Sequence, residues 1–384
     1  LADMIRNQCE DVIFAFATVS KKTGYIHQFV NGADYYILPL KKSMYHYQYH
    51  LESYWETIYE EFQPDIIHIH GTEYPHGLAF LKACPNTKVV VSIQGLLLPY
   101  SRYYSAGISL SDIFKHTTLR DILTWSNIYT QSRRFWKRSK YEVDILKKVR
   151  YVIGRTSWDR AHTLAINPLA NYHFCNEMLR NAFYQNTWTY EKCIPHTIFV
   201  SQAGYPIKGL HQLLKAMPIV LRYYPDTCIW VGGTDIIKGS ALFGKYHMQD
   251  NYGSYISSLI KKLKIQNHIS FLGPLSEDEM CRTFLESNVY VCPSSIENSP
   301  NSLGEAQMLG VPCIASYVGG VPDMMNGFEK WMYRFEEIEV LADLICQAFE
   351  LREPLNNSQA QKRHNSIDIC NNMIEFYRSI LKTS

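Results

Sequence analysis

The stretch Ser294-Ser295-Ile296-Glu297-Asn298-Ser299-Pro300-Asn301-Ser302-Leu303-Gly304-Glu305-Ala306 places two glutamates on either side of a turn that opens a helix. Seven residues separate Glu297 from Glu305. Asn298 or Ser299 is a suitable N-cap, and Pro300 fits the first turn of the helix. The pattern therefore predicts a helix that begins between the two carboxylates.

The start of this helix is a candidate anion site. The first backbone amides of a helix lack partners within the helix, and the helix dipole favours negative charge at this end. We expect the amides of Asn301, Ser302 and Leu303, which follow Pro300, to point at a diphosphate.

Short apolar runs flank the motif at 288–293 and 311–316, which predicts a strand, loop, helix and strand. Strands alternate with helical segments along the chain, an order that favours parallel sheets with ligands at the carboxyl ends of the strands. The other predicted strands lie at 11–18, 36–39, 64–71, 88–95, 151–156, 197–201, 228–232 and 268–273.

The alternation lapses near 188–196 and then resumes, which indicates two α/β domains. We predict an N-terminal Rossmann-like domain over 1–190, a C-terminal Rossmann-like domain over 191–366, and a last helix over 367–384 that packs back on the first domain. The chain begins with the tail of a helix, so the first strand and glycine-bearing turn of an α/β domain are expected to be missing from it.

Composition narrows the class of protein. The chain has 384 residues, of which 46% are hydrophobic and 19% charged, with a formal net charge of +2. These values are typical of a globular protein with two cores and argue against a dedicated nucleic-acid binder. Ten scattered cysteines predict buried thiols in a reducing cytoplasm, and no apolar run is long enough to span a bilayer.

The pattern resembles the retaining glycosyltransferases of family 4, which have the GT-B architecture of two Rossmann-like domains facing across a cleft. The most specific element is the segment from Glu297 to Glu305 with the later Gly319-Gly320-Val321-Pro322. Supporting elements lie at 64–71, 206–210 and 271–280.

The resemblance implies a role for each matching residue. Glu305 would accept hydrogen bonds from the nucleotide ribose, and Glu297 would lie beside the donor sugar. Lys208 would neutralise the departing diphosphate by preorganised electrostatics. Gly273 would face the base, and Pro300 with the amides after it would contact the phosphates. It implies a nucleoside-diphosphate sugar as donor, with neither cofactor nor metal.

The chain departs from the family at three places. An arginine is common about five residues before the lysine, where this chain has Gln202-Ala203-Gly204, so Gln202 is the predicted donor contact there. Gln94 stands where many relatives have a histidine near the reacting sugar, and it can donate a hydrogen bond but cannot carry a proton. The missing glycine-rich turn implies either a fragment or impaired activity.

Other interpretations stay open for single residues. Without their context, Glu297 and Glu305 would be a cap partner and a solvated helix residue. His68 and His70 share one face of a predicted strand, which suggests a metal, but no third ligand has fitting spacing. We interpret His68 as a partly buried structural residue and His70, at the tip of the strand, as a candidate catalytic residue.

A basic, aromatic-rich helical segment contains Arg133, Arg134, Lys137, Arg138 and Lys140. It is either a solvated helix face or a contact for anionic lipid head groups or a lipid-diphosphate acceptor.

The combined hypothesis is a metal-independent glycosyltransferase of the hexosyltransferase type. It would move a sugar from a UDP- or GDP-sugar to a hydroxyl of a glycan or lipid-linked acceptor during synthesis of a surface polysaccharide. Its expected location is the cytoplasm, including the inner face of the membrane. The alternatives are a GT-B epimerase of sugar nucleotides and a catalytically silent subunit that binds the donor.

Overall fold

A computed structural model describes residues 1–9, 11–242 and 246–382. The strands are β1 Phe14–Ser20, β2 Ile26–Val30, β3 Ala33–Pro39, β4 Ile67–His70, β5 Val89–Ser92, β6 Tyr151–Gly154, β7 Asn171–Phe174, β8 Thr197–Val200, β9 Cys228–Gly232, β10 Ser240–Leu242, β11 Tyr246–Met248, β12 Ile269–Gly273, β13 Val289–Cys292, β14 Cys313–Ser316 and β15 Met332–Tyr333.

The helices alternate with these strands over most of the chain. They are α1 Ala2–Gln8, α2 His50–Phe62, α3 His76–Ala83, α4 Leu97–Tyr103, α5 Leu110–Lys115, α6 Leu119–Thr124, α7 Ile128–Lys148, α8 Ser157–Ile166, α9 Leu210–Val220, α10 Asn251–Leu263, α11 Glu277–Glu286, α12 Asn301–Leu309, α13 Val321–Met324, α14 Ile338–Phe349, α15 Ser358–Arg363 and α16 Ser366–Lys382. Short 3-10 turns lie at Asn181–Tyr184, Tyr190–Lys192, Pro206–Lys208, Gln266–His268 and Glu329–Trp331.

The chain divides into two compact units. Unit 1 comprises Leu1–Leu98, Trp136–Met178 and Asn365–Ser384, and unit 2 comprises Pro99–Phe135 and Leu179–His364. Each unit contains a parallel sheet flanked by helices, so the predicted α/β class with two Rossmann-like domains is confirmed.

Unit 1 has two sheets. The first is entirely parallel, in the order β4-β5-β6-β7. The second has the order β1-β3-β2, in which β2 pairs antiparallel with β3. Val90 and Val91 of β5 are fully buried and belong to different core clusters, because successive side chains of a strand point to opposite faces. Helix α16 packs into the second cluster through Cys370 and Met373.

Unit 2 has a six-stranded sheet in the order β12-β9-β8-β13-β14-β15, and all its strands are parallel. Strands β8, β13 and β14 are buried along their whole length, which explains why they read as continuous apolar runs rather than alternating patterns. Helix α12 packs on β13 and β14. The start of α12 therefore lies at the carboxyl edge of this sheet, as the motif predicted.

The segment Pro99–Phe135 packs with unit 2, although the sequence division assigned it to the N-terminal domain. Helix α5 packs against α10, and Asn251 donates a side-chain hydrogen bond to the Ile113 carbonyl at 2.7 Å. His211 of α9, which is fully buried, contacts the Ala106 carbonyl through Nε2 at 2.8 Å. These long-range contacts were invisible to local periodicity, so the compact units and the predicted boundaries differ.

Among the residues that the structure describes, none of the helices combines the length and the apolar character needed to cross a bilayer. The ten cysteines are free thiols, and most of them are buried.

Candidate functional site

Lys208 and Glu297 form a close ion pair in unit 2. The Nζ atom of Lys208 lies 2.6 Å from Oε1 of Glu297, and the side chains are 18% and 9% exposed. Glu297 also accepts a hydrogen bond from the Ser294 hydroxyl at 2.8 Å. The structure thus brings together the two residues that the sequence assigned to the diphosphate and to the donor sugar.

Backbone contacts hold the two loops together. The Ser295 amide donates to the Ile207 carbonyl at 2.7 Å, which joins the loop after β13 to the turn after β8. Gly209 has φ +70°, and a Cβ at this position would overlap the Pro293 carbonyl oxygen. Only glycine accommodates both the left-handed backbone and this close approach.

The second loop behind Glu297 is the predicted Gly-Gly-Val-Pro segment. The Gly320 amide donates to the Glu297 carbonyl at 3.0 Å. Gly319 has φ +53°, and a Cβ there would overlap the same carbonyl oxygen. The segment after β14 therefore supports the backbone of Glu297. Both loops follow adjacent parallel strands and so lie at one edge of the sheet.

Lys208 remains positively charged at neutral pH. Burial by itself lowers the pKa of a lysine, but the neighbouring Glu297 carboxylate outweighs this effect and raises the pKa of Lys208 above its ordinary value. The site thus contains a fixed positive charge with little access to water.

The start of α12 differs in detail from the prediction. Pro300 is the N-cap, and no side chain caps the helix, so neither Asn298 nor Ser299 has the predicted capping role. The Leu303 amide donates to the Pro300 carbonyl at 3.0 Å, which satisfies one of the three predicted anion-binding amides within the turn. Proline is favourable here because it has no amide hydrogen to satisfy.

Ser302 is held by the sheet beneath it. Its hydroxyl lies 2.8 Å from the hydroxyl of Tyr290 in β13, and Tyr290 lies 3.2 Å from the Ser201 hydroxyl at the end of β8. Tyr290 is almost completely buried. This chain of hydroxyls ties the helix start to the ends of two adjacent strands.

Glu305 is bound by a residue that the sequence did not single out. Arg180 donates from Nε to Oε1 at 2.7 Å and from Nη2 to Oε2 at 2.8 Å. The Glu305 side chain is 4% exposed and that of Arg180 is 37% exposed. Burial raises the pKa of Glu305, whereas Arg180 opposes this effect. Glu305, the predicted ribose contact, therefore forms a bidentate ion pair with Arg180.

Small residues leave space at the same edge of the sheet. Gly204 follows β8 and Gly273 ends β12, and a Cβ on either would have no heavy atom within 4 Å. Gln202 is exposed beside Gly233, which has φ +85°. Gln202 and Gly273 thus lie near the ends of two strands of one sheet, and their contact with a nucleotide stays a prediction.

A separate polar cluster lies at the carboxyl edge of the parallel sheet in unit 1. His70 ends β4, and Gln94 follows β5. Arg155, directly after β6, donates from Nη2 to Gln94 Oε1 at 2.7 Å and also pairs with Glu177 beyond β7. Desolvation lowers the pKa of His70, an effect that Glu177 opposes and Arg155 reinforces. Arg155 and Glu177 were not recognised from the sequence as candidate site residues, although each follows a strand of this sheet.

His68 has structural partners. Its Nε2 lies 2.6 Å from the Ser92 hydroxyl, and its Nδ1 contacts the Tyr377 hydroxyl. Desolvation lowers the pKa of His68 to about 3, so the ring is neutral. These contacts agree with the structural interpretation of His68.

The five predicted membrane-facing cations lie on α7, but they are not equivalent. Arg133, Arg134, Lys137 and Lys140 are exposed. Arg138 instead turns inward: its Nη2 donates to the Glu73 carbonyl at 2.8 Å, and its guanidinium lies 4.3 Å from the centre of the Tyr45 ring. Arg138 therefore does not belong to an exposed basic face.

Comparison with known proteins identifies the part of the chain that contains this site. Residues 194–365 match the family model described as glycosyl transferases group 1. The putative glycosyltransferase YtcC of Bacillus subtilis is 24% identical over 277 residues, which cover 70% of this chain. The match spans 60% of the length of YtcC.

Solved structures with similar folds cover nearly the whole chain. Sucrose-phosphate synthase of Thermosynechococcus elongatus has a TM-score of 0.68 and 16% identity, over 97% of this chain and 89% of the synthase. Anabaena HepE in complex with UDP has a TM-score of 0.65 and 14% identity, over 96% of this chain and 100% of HepE. These likenesses confirm the GT-B fold class, and Lys208, Glu297 and Glu305 lie in the segment 194–365 that matches the model of the glycosyl transferases of group 1.

Proposed function

We propose that this chain is a retaining glycosyltransferase that moves a sugar from a nucleoside-diphosphate sugar to a hydroxyl acceptor. The observation that carries the proposal is the Lys208–Glu297 pair, placed with open glycine positions at the carboxyl edge of a parallel sheet. Ligands of doubly wound folds bind at this edge. The structural neighbour HepE binds UDP, which supports a nucleotide donor.

Lys208 binds the diphosphate in this proposal. A diphosphate carries more negative charge than the single Glu297 carboxylate and competes with it for the ammonium group. The charge on Lys208 is in place before the donor arrives, so no reorganisation is needed when negative charge develops on the leaving group. Lys208 and the start of α12 supply the positive charge, and the proposal therefore requires no metal ion.

Glu297 and Glu305 act on different parts of the donor. Glu297 orients the ammonium of Lys208 and accepts hydrogen bonds from sugar hydroxyls. Glu305 accepts hydrogen bonds from the ribose while Arg180 holds its carboxylate in place. The base lies beside Gly273, where no side chain occupies the space.

The transfer step breaks the bond between the anomeric carbon and the β-phosphate oxygen and forms a bond from that carbon to the acceptor oxygen. The acceptor proton passes to the departing phosphate, so the nucleoside diphosphate leaves with one added proton. We also assign catalytic roles to Gln94 and His70 of unit 1, where Arg155 positions Gln94. Gln94 donates a hydrogen bond and takes no part in proton transfer.

The acceptor in this proposal is a glycan or a lipid-linked sugar of a surface polysaccharide. The protein would work in the cytoplasm, at the inner face of the membrane, where exposed Arg133, Arg134, Lys137 and Lys140 meet anionic lipid.

Donor titration followed by product analysis tests the proposal. UDP, GDP and their sugars are added while the melting temperature is recorded, and the stabilising donor is then incubated with and without acceptors. We expect stabilisation by one nucleotide and transfer of the sugar with retained anomeric configuration. Conversion of the donor sugar without acceptor would instead indicate an epimerase. Binding without any turnover would indicate a silent subunit.

A further inference from the structure

Helix α6 has an inverted amphipathic pattern. It buries its acidic residue, Asp121, which is 2% exposed, and it exposes its large aliphatic residues. Leu119, Ile122 and Leu123 are each more than half exposed. Residues three and four positions apart share a helix face, so these side chains form one outward apolar stripe. A surface helix of a globular protein normally has the opposite arrangement.

The polar side of α6 is hydrogen-bonded to neighbouring segments of unit 2. Thr118 caps the helix in a capping box with Asp121. The Thr118 hydroxyl also contacts the Gln249 carbonyl at 3.1 Å, and Ser126 donates to Asp121 at 3.2 Å. Specific hydrogen bonds at both ends of the helix thus hold this inverted orientation. They keep the aliphatic stripe facing solvent.

Residues close to α6 in sequence are also apolar and exposed. In α5, Ile113 is buried, whereas Leu110 and Phe114, one turn apart, are about 60% exposed. Trp125, directly after α6, is 74% exposed. We define the apolar face as Leu110, Phe114, Leu119, Ile122, Leu123 and Trp125. Exposed apolar residues usually occur singly, and a group of six within 16 residues of sequence indicates an interaction surface.

The charges that accompany this face are mainly positive. Lys115, Arg133 and Arg134 are exposed, and the Arg133 guanidinium lies 5.8 Å from the centre of the Tyr129 ring. Of the two acids between residues 109 and 135, Asp121 is buried and Asp112 is engaged by the Ser109 hydroxyl at 2.7 Å. Leucine, phenylalanine and tryptophan beside exposed cations are typical of segments that lie in a membrane interface.

We propose that the apolar face inserts into the head-group region of an anionic lipid bilayer, with Lys115, Arg133 and Arg134 on the lipid phosphates. This surface was not identified in the sequence, which pointed to the cations of α7 alone. A second copy of the chain fits less well, because a two-fold contact would gather the three cations of both copies in one interface. The inference rests on the membrane contact in the proposed function, to which it adds an inserted apolar surface, and it does not depend on the transfer reaction.

Vesicle binding of the full chain tests the proposal. The probes are vesicles of phosphatidylcholine alone and of phosphatidylcholine mixed with phosphatidylglycerol. The apolar variant is Ile122→Ser/Leu123→Ser/Trp125→Ser, and the charge variant is Arg133→Gln/Arg134→Gln. Tyr223→Ser is the matched control, because Tyr223 is 71% exposed in the same unit but lies outside the apolar face.

We expect the wild type and the control to sediment with the anionic vesicles, and each test variant to bind them about tenfold or more weakly. UDP or GDP titration by melting temperature is expected to give the same result for all variants, which separates this inference from the proposed function. Equal vesicle binding by the apolar variant and the wild type would overturn the proposal, as would equal binding of wild type to neutral and anionic vesicles. If the wild type binds no vesicles and instead forms a dimer that the apolar substitutions dissociate, a second copy of the chain occupies the apolar face.

Discussion

Lys208 and Glu297 are 89 residues apart in sequence, yet Lys208 Nζ lies 2.6 Å from Glu297 Oε1. The pair joins the turn after β8 to the loop after β13, two adjacent parallel strands. Each side chain is largely buried and neutralises the other. The pair stabilises unit 2 and holds the ammonium group at the place where we propose that the diphosphate binds.

Removing both members of this pair should cost less stability than the sum of the two single removals. Glu297→Gln leaves the buried Lys208 charge without its carboxylate, and we expect a loss of about 3 kcal/mol in the free energy of unfolding. Lys208→Met/Glu297→Gln removes both charges, so its effect should be smaller than the sum of the single effects by about 2 kcal/mol. Urea unfolding of the wild type, Lys208→Met, Glu297→Gln and the double variant measures this coupling. Additive effects would show that the pair contributes no stability.

Arg180 is expected to control nucleotide binding through Glu305. Arg180→Gln removes the bidentate partner that orients the carboxylate, and we expect the affinity for the nucleoside diphosphate to fall about tenfold. Arg180→Lys should restore the affinity only in part, because lysine cannot form two parallel hydrogen bonds with a carboxylate.

Isothermal titration with UDP and GDP measures the effect of these substitutions. Arg222→Gln, which removes an exposed arginine from the same unit, is a control for loss of an arginine. Unchanged affinity in Arg180→Gln would show that Arg180 has no part in donor binding.

Gly209 is expected to be irreplaceable. Gly209→Ala would place a methyl group on the Pro293 carbonyl oxygen and strain a backbone with φ +70°. We expect a loss of about 2 kcal/mol or more in stability, together with weaker donor binding because Lys208 precedes the displaced residue. Gly204→Ala is the matched control, since a Cβ there has open space. Thermal unfolding that ranks the two variants equally would contradict this account.

Much of unit 2 was predictable because its signals are local. The apolar runs of β13 and β14 and the turn at Pro300 lie within a few residues of one another, so the strand, loop, helix and strand could be predicted from sequence. The Lys208–Glu297 contact and the Arg180–Glu305 pair could not, because they depend on how distant loops meet at the sheet edge. Family resemblance suggested separate roles for Lys208 and Glu297, but not that each is the partner of the other.

In unit 1 the hairpin of β2 and β3 was missed although its turn carries a signal. Asn31 and Gly32 both have positive φ, the conformation that a tight hairpin turn requires. The alternation of strands with helical segments favoured parallel strands throughout, and this dipeptide was not recognised as a turn. Arg155 and Glu177 were missed for a different reason. Polar residues after strands are common, and only the parallel register of β5, β6 and β7 brings Arg155 to both Gln94 and Glu177.

His68 is expected to make unit 1 less stable in acid. Its folded pKa is about 3, below the ordinary value of 6.5, so the unfolded chain binds a proton between these pH values and the folded protein does not. Stability from this group is therefore present above pH 6.5 and is lost as pH falls towards 3, by at most about 1.4 kcal/mol per pH unit.

Urea unfolding of the wild type and His68→Gln between these pH values isolates this contribution. The variant should have a shallower slope, by about one proton. Equal slopes would mean that His68 titrates alike in the folded and unfolded states.

The central claim is that a diphosphate binds at Lys208, and nucleotide titration of the wild type and Lys208→Met tests it most directly. We expect UDP or GDP to bind the wild type, and Lys208→Met to bind that nucleotide about a hundredfold more weakly. Uridine or guanosine, which lacks the diphosphate, should bind both proteins alike. Lys261→Met, which removes an exposed lysine from α10, is the control and should leave binding unchanged. Equal nucleotide affinity in the wild type and Lys208→Met would contradict the account.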